Sequence, residues 1–275
     1  MAQRIWLSLA IAGAVTLGAS AQAAQSRTPA AAPEIQLLGE VHDSAAGHAA
    51  RAELLRAKLE AGWRPAIAME QFDTEQQPAL DAAMRECRDA DCVVARVITG
   101  KSGWTWDYYK PVITLALEYH LPLYAANLSR GAASKVVKEG FAAALSPELI
   151  ARYHLDTLPE DVLKAQETEV RDSHCGVLPE QFVTPMAKAQ IARDVVMADT
   201  LRQHADHGIV LITGNGHTRG DIAVAYWLRQ QGLQPHAVGF IEPDAAPERF
   251  DEVHRIPKTV RPDPCAQFQP PKSGN

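Results

Sequence analysis

The sequence predicts an α/β fold: a mostly parallel sheet flanked by helices, with an inserted helical cap subdomain. Three observations predict it. Short apolar runs at Ile35–Leu38, Ala66–Met69, Leu121–Ala125, Ile209–Thr213 and His236–Ile241 have the length and composition of buried strands. Helical periodicity lies between several of them, the alternation that a parallel sheet requires. Residues about 139–205 break the rhythm with several helices and loops, as an insertion does.

The elements follow in order. The chain opens with Met-Ala-Gln-Arg, an apolar run from Ile5 to Ala19 and small residues through Ala24, the three regions of a secretory signal peptide. The run is about 15 residues, short of the ~20 that span a bilayer. Residues 1–24 are therefore expected to be cleaved, after Ala21, Ala23 or Ala24, and the mature chain to be periplasmic or secreted. No cysteine follows the apolar run, so no lipid anchor is expected, and no later stretch is long enough to cross a membrane. Residues 25–33 read as a flexible leader and 34–256 as the α/β domain. Residues 257–275 hold five of the 18 prolines and read as an extended tail.

Within the domain, Leu54, Leu55, Lys58 and Leu59 recur at helical spacing, with Gly62 where a C-terminal cap belongs. Ile191, Val195, Ala198 and Leu201 step by four, three and three. Asp221 is placed to cap a helix carrying Val224, Trp227 and Leu228, which Gly232 stops. No internal repeat is present.

Composition narrows the function. The chain is 47% hydrophobic and 22% charged, which excludes a disordered chain or a coiled-coil rod. Its 27 basic and 33 acidic residues leave a net charge of −6, and no basic run interrupts it, so a nucleic-acid partner is excluded. The four cysteines lack zinc-ribbon spacing. In an oxidising compartment they read as structural disulfides, with Cys87 and Cys92 close enough to bridge a short loop and Cys175 and Cys265 able to pair. A thiol redox or metal pair is the alternative.

The polar residues fall at the ends of the strands. The first runs into Gly39-Glu40-Val41-His42-Asp43, the second into Glu70-Gln71-Phe72, the third into Asn127-Leu128-Ser129-Arg130, and the fourth into Gly214-Asn215-Gly216-His217. The carboxyl ends of parallel strands share one edge, where ligands bind. Glu40, His42, Glu70, Asn127, Arg130, Asn215 and His217 are therefore expected to converge. Glycines let the backbone turn and approach a ligand there, and the helix after His42 would aim its N-terminus at the same crevice, favouring an anion. Two imidazoles and two carboxylates suit a divalent metal held by Glu40, His42, Glu70 and His217, or general-base chemistry with an orienting carboxylate. Glu40 and His42, two apart, would point to one face of a strand. A structural pairing of Glu70 with Arg130 is the plainer alternative.

At these residues the chain resembles the ChaN-like haem-binding uptake proteins, which belong with the Tiki/TraB and erythromycin esterase superfamily. The matching stretches are 37–43, 68–72, 104–111 (Trp-Thr-Trp-Asp-Tyr-Tyr-Lys-Pro), 126–130, 193–198 and 214–217, in the family's order. The resemblance implies an exported α/β protein with a helical cap that binds haem in iron uptake, as a homodimer with stacked haems and a tyrosine ligand. Tyr108 and Tyr109, in a matched stretch beside Asp107, are the candidate ligands, with Tyr153 in the cap. Trp104, Trp106 and Tyr108 would line the slot and Lys110 would face a propionate. Known members carry a lipidated cysteine that this chain lacks. The superfamily also contains hydrolases, so the alternative is a periplasmic metal-dependent protease or esterase. In it His42 or His217 would act as base or metal ligand, Glu40 or Glu70 would orient it, and Arg130 would hold an anionic group.

Overall fold

The structure, a computed structural model, describes Met1, residues 34–263 and residues 265–268. The remainder of the expected signal segment and leader lies outside the described residues. Six strands form one sheet: β1 (Ile35–Leu38), β2 (Ala66–Asp73), β3 (Leu123–Asn127), β4 (Ile209–Ile212), β5 (Pro235–Ile241) and β6 (Glu252–Arg255). Their spatial order is β3-β2-β4-β1-β5-β6, and each pairing is parallel. The helices are α1 (Ala45–Glu60), α2 (Gln77–Glu86), α3 (Ala90–Val97), α4 (Lys110–Glu118), α5 (Arg130–Glu139), α6 (Pro147–Arg152), α7 (Glu160–Ser173), α8 (Glu180–His204), α9 (Asn215–Thr218) and α10 (Val224–Gln230).

Alternating strand residues divide the core into two layers. Leu38, Ile67, Met69, Val210, Ile212 and Phe240 face α1 to α4, with Leu55, Leu59, Val93 and Val112 buried against them. Leu37, Ala68, Leu211 and Ala237 face α5, α8 and α10, with Val136, Val195, Leu201 and Trp227. The chain winds one way through β3 with helices on the first face, then the other way with helices on the second. This places a topological switch beside β1 and β4, where such sheets open a crevice.

The apolar runs appear as strands, with informative differences. β3 starts at Leu123, because Leu121 bonds back to Ala116 to close the turn after α4. β2 continues through Asp73, and its register against β3 shifts between Met69 and Asp73. Three residues of β2 there (Glu70, Gln71 and Phe72) oppose one of β3 (Ala126), a bulge that re-aims Glu70 and Gln71. β6 carries Glu-Val-His-Arg on a half-exposed edge, with no apolar run to announce it.

Gly62 closes α1 at φ +100°, its neighbour Trp63 bonding back to Lys58 as a Schellman-type cap does. Asp221 does not cap α10: it forms a two-pronged pair with Arg219, at 2.9 and 2.6 Å, and α10 starts without a side-chain cap. Residues 139–205 form α6, α7 and α8 with 3₁₀ turns between them. The second half of α8 packs on the sheet, whereas its first half packs on α7 through Val183 and Ala187 against Val170.

Cys87 bonds Cys92, and Cys175 bonds Cys265. The second bridge ties the tail to the turn between α7 and α8. Arg261 holds the tail again, its guanidinium donating to Asp43 and Glu242 at 2.7–3.0 Å. No helix of the described residues is long and apolar enough to cross a membrane.

Candidate functional site

Glu40 leaves the end of β1 and turns inward, 2% exposed. A lone carboxylate there would be untenable, and four side chains answer it. The buried Arg51 guanidinium lies on Oε2, and the Tyr109 hydroxyl donates to Oε1 at 2.5 Å. His42 Nδ1 also lies 2.9 Å from Oε1, and His48 Nδ1 3.7 Å from Oε2. Arg51 also donates to His48 Nδ1 at 3.0 Å, so the other nitrogen of His48 must carry the proton it donates to the His42 carbonyl at 3.1 Å. Burial lowers the pKa of His48 and pulls Arg51 down to about 10. It pushes the Tyr109 phenol up, so that Tyr109 stays a donor.

This cluster fixes His42. Its side chain is 55% exposed, its ring packs edge-on to Trp104 at 5.2 Å, and its Nδ1 is spent on Glu40. Cε1 and Nε2 lie over Gly214, where an added Cβ would come within 2.7 and 2.9 Å of them. Nε2 makes no hydrogen bond among the described residues.

Glu70, set by the bulge in β2, meets the β4–α9 turn. Its Oε2 accepts from the Thr213 hydroxyl at 2.7 Å and from the Gly214 N–H at 2.8 Å. Its Oε1 lies 3.6 Å from His217 Nε2. His217 Nδ1 lies 2.6 Å from Asp194 Oδ1 on α8. Burial opposes charge on His217, but Asp194 and Glu70 on either side outweigh it and raise the imidazole to about 9. Burial likewise opposes ionisation of Glu70, yet His217, His42 and the two hydrogen bonds hold its carboxyl below the ordinary value. Burial pushes Asp194 up to about 6.

His42 and His217 stand on the wall between two cavities. A cleft of about 620 Å³ is lined by both histidines with Glu70, Gln71, Asn127, Arg130, Gln190, Arg193 and the loop Ile98–Trp104. A chamber of about 300 Å³ lies on the far side, beneath α7. Arg193 donates to Asn127 Oδ1 at 2.7 Å and to the Leu128 carbonyl at 2.8 Å. Arg130 and Lys101 line the same cleft. None of these three cations is ion-paired among the described residues.

The convergence expected of the strand ends is therefore partial. His42, Glu70, Asn127, Arg130 and His217 meet at the cleft, and Glu70 pairs with Thr213 and Gly214 rather than Arg130. Glu40 lies behind His42 and faces Arg51. Asn215 lines neither cavity; its side chain donates to the Phe240 carbonyl at 2.7 Å and leaves no room for a Cβ at Gly39. Asp107 is exposed and pairs with Lys110, which also meets Asp91 at 2.5 Å, so Lys110 is spent on the surface. Tyr109 is 1% exposed and turned into the core. Tyr108 is stacked on His48 at 4.6 Å and lines neither cavity. Tyr153 is buried against Trp227, 6.3 Å between rings. The start of α1 is closed by Ser44, whose hydroxyl accepts from Gly47 at 3.2 Å, and no residue of α1 lines the cleft or the chamber.

Among the described residues no three His, Cys, Asp or Glu side chains are grouped to hold a metal ion. The set Glu40, His42, Glu70 and His217 divides into two pairs, His42 on Glu40 and His217 beside Glu70, with Glu40 drawn into the core by Arg51 and Tyr109. Sequence reasoning missed Arg51 and Asp194. Both sit on the apolar stripes of their helices, Arg51 four before Leu55 and Asp194 three after Ile191. A charge on a buried stripe was the available signal.

Comparison with known proteins identifies the fold and the family. None of the curated proteins matches. Among solved structures the chain is similar to ChaN of Campylobacter jejuni, described as binding haem cofacially. The identity is 19%, 81% of this chain and 87% of that chain are covered, and the TM-score is 0.65. An erythromycin esterase mutant in its open conformation is more distant, at 14% identity, 77% and 71% coverage and a TM-score of 0.46. The model of the family described as haem-binding uptake, Tiki superfamily, ChaN, matches residues 29–228. The chain belongs to the ChaN family of haem-binding uptake proteins, in the Tiki superfamily.

Proposed function

We propose that the protein binds haem in the cleft and serves haem or iron uptake outside the cytoplasm. The observation that carries this reading is one cleft holding both an imidazole anchored through one nitrogen and three unpaired cations. His42 Nε2 would be the atom that holds the haem iron, its ring fixed by Glu40 as ligating histidines are fixed by a carboxylate behind them. Arg130, Arg193 and Lys101 suit the propionates, and Trp104 and Ile98 supply apolar wall. The volume of about 620 Å³ falls in the range of cofactor sites. The cleft is open and its apolar wall small, so the second porphyrin face needs a cover. A second haem on a second copy of the chain would supply it, which makes the functional unit a homodimer. Tyr109 does not fit as ligand, since its hydroxyl is held by Glu40. Tyr108 lines neither cavity, so a haem that it held would lie outside this cleft. Export is supported by the N-terminal sequence and by two disulfides.

Haemin titration followed by absorbance tests the reading. The expected result is a saturable Soret shift with about one haem per chain and dimerisation on loading. His42→Ala should weaken binding at least tenfold, and Tyr109→Phe should leave the ligand spectrum unchanged. A spectrum lost in Tyr108→Phe and kept in His42→Ala would move the ligand to tyrosine.

The same histidines support a second reading, hydrolysis. His42 Nε2 is placed to take a proton from water, with Glu40 orienting the ring. His217, kept cationic between two carboxylates, is suited to polarise a carbonyl rather than to act as base. Turnover on an ester or peptide panel, abolished by His42→Ala and by His217→Ala, would establish it. No turnover together with haem binding would dismiss it.

A further inference from the structure

The chamber beneath α7 is a feature that haem binding leaves unexplained. Gln166, Glu169, Val170 and Ser173 line it, stepping by three, one and three along one face of the helix. A helix normally turns apolar residues inward at that spacing. Here the inward face is mostly polar. Gln166 is 8% exposed, and its Oε1 has no hydrogen-bond partner. A buried acceptor without a donor is costly, so a ligand is its expected complement. Glu169 adds a second acceptor. Its cationic neighbours Arg219 and Arg249 both meet it at Oε1. The Ser173 hydroxyl is already engaged, donating to the Val170 carbonyl at 3.1 Å and lying 3.1 Å from His174 Nδ1. Across the chamber stand Gly214, Gly216 and the ring edges of His42 and His217, with Ile222 as apolar wall.

On the α7 wall, Gln166 Oε1 is therefore the buried acceptor that lacks a donor. Arg219 is already matched by Glu169 and Asp221, so the uncommitted group on this wall is the neutral Gln166 carbonyl, which takes an N–H donor rather than an anion. We propose that the chamber is a second binding site, beside the haem cleft, for the carboxamide-like, N–H-bearing part of a small ligand, held by Gln166 Oε1. The chamber shares His42, Gln190 and His217 with the cleft, so a ligand here lies against the same histidines.

The test uses the ¹⁵N-labelled, haem-free protein and three probes. Propionamide carries the N–H donors, butanone has nearly the same shape without them, and propionate replaces them with a charge. Propionamide is expected to shift the Gln166 side-chain amide saturably, with butanone and propionate at least tenfold weaker. Gln166→Leu should lose at least tenfold in propionamide affinity without a fall in melting temperature, because leucine removes the orphaned carbonyl. Equal binding of propionamide and butanone, or unchanged propionamide affinity in Gln166→Leu, overturns the proposal and marks an adventitious additive only. Haemin titration of the same samples reads the cleft separately, so failure of one site does not imitate failure of the other.

Discussion

Asp194 Oδ1 lies 2.6 Å from His217 Nδ1, joining α8 to the turn after β4 across 23 residues of chain. Glu70 stands on the other side of the ring at 3.6 Å. An imidazole at about 9 in the folded chain, against 6.5 for the free side chain, binds its proton more tightly when folded. Its contribution to stability is then complete below pH 6.5 and is lost as pH rises through about 9. Denaturant melts across that window should show a decline on the order of 1–3 kcal/mol. In Asp194→Asn the decline should shrink by at least half.

Gly214→Ala should act on binding more than on folding. The new Cβ would sit 2.7 Å from His42 Cε1, and that ring is half-exposed and can swing aside. We expect at least a tenfold loss in haemin affinity with a small change in melting temperature. Gly39→Ala meets the side chain of Asn215 instead, at 2.2 Å, where the structure is tied to β5. Its cost should appear in stability, about 1–3 kcal/mol by urea unfolding.

Tyr109→Phe removes one donor from the buried carboxylate of Glu40. The expected destabilisation is about 1–3 kcal/mol, the range for a buried group left short of a partner. Haem absorbance at saturation should be unaffected.

Arg130→Ala and Arg193→Ala should each weaken haemin binding several-fold, and the loss should vanish for a haem whose propionates are esterified. Arg193→Ala should cost stability as well, since it leaves Asn127 Oδ1 and the Leu128 carbonyl without their donor. Isothermal titration with both porphyrins separates the two effects.

Loss of the Cys175–Cys265 bridge should be felt more than loss of Cys87–Cys92. The first closes 90 residues and the second five. Loop-closure entropy assigns them about 4–5 and about 2 kcal/mol. Thermal melts of the two Cys→Ser pairs should keep that order.

Much of this was legible in the sequence. The apolar runs marked five strands because buried parallel strands have no polar face to disguise them, whereas β6, on an edge, carries Glu252 and His254 and left no such mark. The site residues His42, Glu70 and His217 were legible because a parallel sheet gathers its strand ends. What could not be read was direction. Glu40 and Glu70 look alike in sequence, yet Arg51 draws one into the core while a bulge in β2 turns the other to the cleft. Tyr108 and Tyr109 are adjacent, and a 3₁₀ turn sends one toward His48 and the other inside.

The sheet order carries a consequence for how the molecule comes into being. β1 and β2 are successive in the chain but do not touch; β4, more than a hundred residues later, is the plank between them. A nascent chain that has not reached β4 can pair β2 with β3, but β1 has no partner, because its neighbours β4 and β5 both come later. His217 follows that plank by only a few residues. The protein thus acquires its binding chemistry at the same moment that it acquires its middle.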